Sequence, residues 1–218
     1  MMINTQSAHT ALIIANAPGS LSEDERQLVL EASFVIAADG ALEKIKGLCG
    51  KVHWVGDFDS YEESSENTFE SFTKIEKGEQ NSNDLEKCIE YALSQGATSL
   101  AIMGAIGGRL DHTLTTLSLM VKYHQRLEIV LYHELSRSFV FSSIAHGARE
   151  IEIPNTASNR ILSMIPWGMD AEISLKNTKW CLTRETLSAG SQGVSNRFLD
   201  GPAIVSVHRG IVICTVHD

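Results

Sequence analysis

The 218-residue chain is poor in several things, and each shortage excludes something. It has four cysteines, Cys49, Cys88, Cys181 and Cys214, and no two of them stand at a CxxC spacing. No zinc site is therefore signalled. Scattered thiols without a disulfide framework suit a reducing compartment, so a cytoplasmic location is expected. Basic residues are outnumbered, with 18 Lys plus Arg against 27 Asp plus Glu and a formal net charge of -9. That balance argues against nonspecific nucleic-acid binding, which needs a basic footprint. It leaves open a small anionic ligand held in a local pocket. No apolar run much exceeds strand length, so no membrane-spanning segment is expected. The N-terminal stretch with Asn4, Gln6 and His9 lacks the basic start and apolar core of a signal peptide. There is no GxSxG, and no Walker lysine follows the glycines of the chain. Apart from His112, the histidines show no metal-ligand spacing and read as surface or packing residues.

What is present is an alternation of apolar runs and helical periods. Ala11–Ala15, Phe34–Ala38, Lys51–Val55, Ser99–Met103 and Glu128–Tyr132 have the length and composition of buried strands. Ser22 with Glu25, and Asn83 with Glu86, have the spacing of helix capping boxes. Leu85, Ile89, Ala92 and Leu93 then predict one buried helix face, and Leu110, Leu114, Leu117 and Val121 another. Strands alternating with helices over short connections imply a parallel, helix-covered sheet. Beyond Phe141 the pattern changes to short strand-like runs, Arg149–Ile153, Arg160–Ile165, Ala203–His208 and Ile211–Val216, separated by Asn, Gly, Ser and Pro. The expected fold is α/β: an N-terminal parallel-sheet, Rossmann-like domain over residues 1–142, followed by a small all-β, sandwich-like domain over 143–218.

Asp39, Asp57 and Asp59 follow directly on predicted strands, and Asp84 and Asp111 open predicted helices. In an open parallel sheet the carboxyl ends of the strands form the rim where ligands bind. Five carboxylates converging on one rim repel one another unless a cation is present. Magnesium takes a few carboxylates together with water and substrate phosphates, so the cluster reads as a magnesium–nucleotide site. In an extended Gly56-Asp57-Phe58-Asp59-Ser60, Asp57 and Asp59 would share a side and Phe58 would point into the core. The same DxD is also compatible with a solvated turn. Asp84 and Lys87 stand at i and i+3 and share a helix face, as metal and phosphate ligands or as an ordinary surface pair. Gly107-Gly108-Arg109-Leu110-Asp111-His112 places glycines and an arginine at a helix start, where backbone amides attract anions.

GDFDS, then an ND-x-x-K helix start, then GGRLDH, in that order and spacing, resemble the thiamine pyrophosphokinases. Asn16, Asp39-Gly40, Lys179-Trp180-x-Leu182, Gly190 and Ser195-Asn196-x-Phe198 extend the resemblance over most of the chain. It implies transfer of the β,γ-diphosphate of ATP to the hydroxyl of thiamine, giving thiamine diphosphate and AMP, with magnesium as cofactor. It implies a homodimer with the thiamine pocket at the subunit interface. By position it implies Asp57, Asp59 and Asp84 as magnesium and phosphate-site carboxylates. Lys87, Arg109 and His112 would face the polyphosphate, and Asp111 the reacting end. Asn16, Asp39, Gly40 and Gly108 would border the nucleotide. Gln80, Trp180, Ser195 and Asn196 would contact thiamine. Asn83, Asn177 and Arg197 depart from the family's usual Thr, Gly and Glu. Two other readings use the same residues: a magnesium-dependent phosphohydrolase or nucleotidyltransferase, and a non-catalytic thiamine or nucleotide-binding protein.

Overall fold

A computed structural model describes residues 5–7, 9–49, 51–58, 71–78, 81–147, 149–156 and 160–217. The chain forms two compact units, Met2–Leu119 with Arg126–Glu134, and Met120–Gln125 with Leu135–Asp218.

The first unit contains β1 (Thr10–Ile14), α1 (Glu23–Glu31), β2 (Val35–Ala38), a 3-10 turn (Leu42–Ile45), β3 (Lys51–Gly56), β4 (Ser71–Glu76), α2 (Asp84–Ser94), β5 (Ser99–Met103), most of α3 (Leu110–Tyr123) and β6 (Glu128–His133). Its strands pair in parallel in the order β6-β5-β1-β2-β3-β4. Central strands of such a sheet are covered on both faces, which is why β1 and β2 are continuous apolar runs buried along their whole length. From β1 the chain winds outward through β2 and β3 to β4. It then returns to the other side of β1 with β5 and β6. This reversal opens a crevice between the loops after β1 and β5, where open α/β sheets take their ligands.

The helix starts follow their sequence signals. Ser22 Oγ accepts from the Glu25 N–H at 3.2 Å, and Glu25 Oε2 accepts from the Ser22 N–H at 2.8 Å. Asn83 Oδ1 accepts from the Glu86 N–H at 2.9 Å. Two helix faces differ from expectation. In α2 the buried side is Leu85, Lys87, Cys88, Ile89 and Ala92, with Leu93 half-exposed. In α3 the apolar stripe is turned outward: Leu110 is 71% and Leu114 49% exposed, while Thr116, Leu119, Met120 and Tyr123 are buried. Periodicity locates a stripe but does not say what covers it. The sequence reading also missed β4, whose only apolar residues are Phe72 and Ile75, because an edge strand needs little burial.

The second unit contains β7 (Ser136–Ser142), α4 (Ser143–His146), β8 (Ile151–Ile153), β9 (Ile161–Pro166), β10 (Ala171–Lys176), β11 (Leu182–Leu187), β12 (Asn196–Arg197), β13 (Ala203–Arg209) and β14 (Ile211–His217). Two antiparallel sheets run β12-β9-β14-β7 and β11-β10-β13-β8. This is the expected all-β part. Ala171, Ile173 and Leu175 of β10 are buried in strict alternation, a half-buried strand pattern. No described helix is long and apolar enough to cross a membrane.

Candidate active site

A cavity of about 450 Å³ opens at the crevice of the first unit. Asn16 and Pro18 after β1, Asp39 after β2, Asp84 at the start of α2, and Gly108 and Arg109 before α3 all line it. Two glycines let these walls approach. Gly40 has φ +73, and a β-carbon there would lie 2.2 Å from Asn16 Nδ2. Gly108 has φ +69, and a β-carbon there would lie 2.7 Å from Pro18 Cδ. An L side chain at either position would meet both a strained backbone and its neighbour.

Beside the cavity two acids meet one cation, and a third acid lies close to both. The Lys87 side chain is 2% exposed, and its Nζ lies 3.1 Å from Asp57 Oδ2 and 3.2 Å from Asp84 Oδ1. Burial alone would release the proton from this ammonium. The hydrogen bonds that Nζ donates to both carboxylates, with their charges, outweigh burial and hold Lys87 above the ordinary lysine value. Asp39 completes the cluster. Burial pushes its carboxyl above the ordinary aspartate value, the Asp84 and Asp57 charges push the same way, and the N–H groups of Gly40 and Phe58 pull it back. The Gly40 N–H donates to Asp39 Oδ1 at 2.9 Å.

GDFDS is not the straight extended segment its alternation suggested. β3 ends at Gly56, and Phe58 takes φ +60. The Phe58 ring lies 4.3 Å from that of Trp54 in an edge-on arrangement, and Lys74 Nζ lies 4.3 Å from the Phe58 centroid. Asp59 and Gln80 fall outside the described residues.

Asp111 does not join this cluster but pairs with Arg109. Arg109 Nη2 lies 2.5 Å from Asp111 Oδ2, and Arg109 Nε donates to Asp111 Oδ1 at 3.1 Å. That contact holds the Asp111 carboxyl below the usual aspartate range. Arg109 and the exposed His112 line the cavity. So does Thr116, which sequence reading missed. It is buried, with Oγ1 3.1 Å from the Ala105 carbonyl and 3.0 Å from that of His112. A threonine inside a helix carries no sequence signal for such a place.

In the second unit Trp180 is 53% exposed, so it is not a core residue of the β sheets. Lys179 Nζ lies 4.6 Å from its ring centroid. Asn196 is buried, and its amide is taken up in holding this loop. Oδ1 accepts from the Trp180 N–H at 3.1 Å, and Nδ2 donates to the Trp180 carbonyl at 2.7 Å and to Thr178 Oγ1 at 3.2 Å. Ser195 and Asn177 both have positive φ, +63 and +59, and Asn is among the residues that tolerate that region.

The raised Asp39 value predicts a stability change with a definite sign. A carboxyl held above its ordinary value keeps its proton more readily in the folded than in the unfolded chain. Its ionisation therefore opposes folding, fully above the folded value and not at all well below about pH 4. Asp39→Asn is expected to raise Tm at pH 7 by about 2 °C, a gain that shrinks toward pH 3. Calorimetry of both proteins across that range checks it.

Comparisons with known proteins agree with the two-part fold. Residues 26–131 match the family described as "Thiamin pyrophosphokinase, catalytic domain", and residues 149–212 match "Thiamin pyrophosphokinase, vitamin B1 binding domain". A thiamine pyrophosphokinase of Bacillus subtilis is 26% identical over 211 residues, covering 94% of this chain and 96% of the relative. Thiamin pyrophosphokinase 1 of Caenorhabditis elegans is 22% identical over 175 residues, covering 76% of this chain and 70% of the relative. The crystal structure of the Bacillus subtilis protein superposes with a TM-score of 0.81 at 24% identity, covering 95% of this chain and 98% of that one. The yeast thiamin pyrophosphokinase structure gives 0.76 at 16%, covering 96% and 86%. With both halves of the chain matched in order and the two-part fold shared, the chain belongs to the thiamin pyrophosphokinase family.

Proposed function

We propose that the chain transfers the β,γ-diphosphate of ATP to the primary hydroxyl of thiamine. The observation that carries this reading is the meeting of Asp57 and Asp84 at buried Lys87, with Asp39 close to both acids, at the crevice of a parallel sheet. Three neighbouring acids sharing a single ammonium between two of them form a place for a cation-bound polyphosphate and a poor place for a bare anion.

The residues fit magnesium. Asp57 and Asp84 present oxygens to one shared positive point, and magnesium held with substrate phosphates needs only one or two protein carboxylates. Asp57 and Asp84, with Asp59, would hold it. When bound, the ion neutralises charge on the transferred diphosphate. Lys87, Arg109 and His112 bind the polyphosphate oxygens, and Asn16, Asp39, Gly40 and Gly108 border the nucleotide. The thiamine hydroxyl oxygen attacks the β-phosphorus and the bond from that phosphorus to the α,β-bridging oxygen breaks. AMP leaves, and the hydroxyl proton passes to a carboxylate. Asp57 and Asp59 are the candidates for that role. Asp111, held ionised by Arg109, is a weak base and serves to aim the guanidinium at the reacting end.

Thiamine is held by Gln80, Ser195 and the exposed Trp180, with Asn196 fixing the tryptophan loop. An exposed tryptophan face is suited to a cationic thiazolium ring. Trp180→Ala is expected to raise the KM for thiamine about tenfold and leave that for ATP unchanged, as steady-state kinetics will read. The protein works in the cytoplasm as a homodimer, with the thiamine pocket completed across the subunit interface. The outward stripe of Leu110 and Leu114 on α3 supports a second copy as its cover. Incubation with magnesium, ATP and thiamine tests the reaction. AMP should appear only when thiamine is present, one for each thiamine diphosphate. Orthophosphate released at a thiamine-independent rate would make the chain a hydrolase.

A further inference from the structure

We infer that Lys44 is a positioning residue of the nucleotide crevice, which ties its two walls together from behind and sets a positive charge beneath the polyphosphate. The inference rests on the nucleotide reading of that cavity.

Lys44 comes from the 3-10 turn after β2, and its side chain is half-buried. Its Nζ donates to the carbonyl of Ala17, in the loop that follows β1. The same ammonium lies against the loop that follows β5, because a β-carbon on Gly104 would come 3.4 Å from Nζ and 2.7 Å from the Ala15 carbonyl. Ala15, Asn16, Ala17 and Pro18 on one side, and Ala105 and Gly108 on the other, line the cavity. Lys44 itself does not. It thus stands where the two walls diverge, touching both and reaching into neither.

An ammonium has three donors. Among the described residues Lys44 uses one hydrogen bond and makes no ion pair. Lysines usually carry their heads out to water, so a half-buried ammonium with one neutral acceptor is an expensive arrangement for loop tethering alone. Burial pulls its proton affinity down, and only the charge of Glu25 acts the other way. The nearby cavity carries Asp39 and Asp84, which repel phosphate oxygens. A cation behind the opposite wall offsets that repulsion, and its field is strong in a setting poor in water.

The test compares Lys44→Met and Lys44→Arg with the wild type, by steady-state kinetics and by calorimetric binding of a non-hydrolysable ATP analogue with magnesium. Lys44→Met is expected to raise both the KM for ATP and the Kd of the analogue about tenfold, while kcat and the KM for thiamine stay within about twofold. Lys44→Arg, which keeps the charge, should recover most of the affinity. Lys44→Gln serves where Lys44→Met fails to fold. Analogue affinity within about twofold of wild type in a folded variant, or a fall in kcat alone, overturns the inference. Failure of both neutral variants to fold makes Lys44 a stability residue and overturns it as well. Wild-type protein that binds the analogue but releases no AMP with thiamine would count against the proposed reaction and leave the Lys44 comparison intact.

Discussion

Asp57→Asn is expected to lower kcat by on the order of 10²–10³-fold while leaving the fold in place, as kinetics and circular dichroism will record. The Asp57 carboxylate is 32% exposed and lies at the end of β3, so the amide fits the same space. What it loses is the negative charge. Asp57 then no longer offers an anionic oxygen to a metal ion or a proton acceptor to the substrate hydroxyl. Stability should change little, because the mutation also relieves the repulsion that Asp57 exerts on Asp39. Turnover close to wild type would remove Asp57 from the reaction.

Lys87→Met is expected to damage both stability and turnover. Methionine fills the buried space at the side of α2 but leaves Asp57 and Asp84 with no ammonium between them. Removing one partner of a buried charged contact costs about 3 kcal/mol. In a chain of this size that lowers Tm by about 10 °C. Activity should fall by on the order of 10²–10³-fold in the protein that remains folded. Magnesium in excess should restore part of the lost Tm, since a second cation can occupy the space among the same acids. An unchanged Tm in thermal melts, with or without magnesium, would mean that Lys87 does not hold the acids together.

These two residues also mark what the sequence made legible. Asp57, Asp39 and Asp84 stand where strand ends and a helix start predict them, because one rule about parallel sheets places all such positions on one rim. Lys87 was assigned to the same helix face as Asp84, but its burial was not foreseen. Lysine is almost never buried unless paired, and its pairing is visible only once Asp57, from another segment, is brought beside Asp84. The outward stripe of α3 failed for a related reason. Leu110, Leu114, Leu117 and Val121 have the spacing of a core-facing stripe, yet the residues that face the core are Thr116, Leu119, Met120 and Tyr123. Spacing reports amphipathicity and not the identity of the partner surface. Phe58 shows the limit of alternation. Reading GDFDS as an extended strand missed the positive φ of Phe58, whose N–H meets Asp39 and whose ring lies against Trp54. In the second unit the run Arg160–Ile165 was readable and forms β9, whereas β10, despite its alternation, and β11, mostly polar at an edge, were not read.

The claim beneath all of this is that Asp57 and Asp84 form one site for a metal-bound polyphosphate. Manganese, followed by its paramagnetic resonance, reports that site directly when titrated with a non-hydrolysable ATP analogue. Asp57→Asn and Asp84→Asn should each weaken binding of the metal–nucleotide complex by about tenfold or more relative to wild type. Equal affinity in all three proteins would contradict the account.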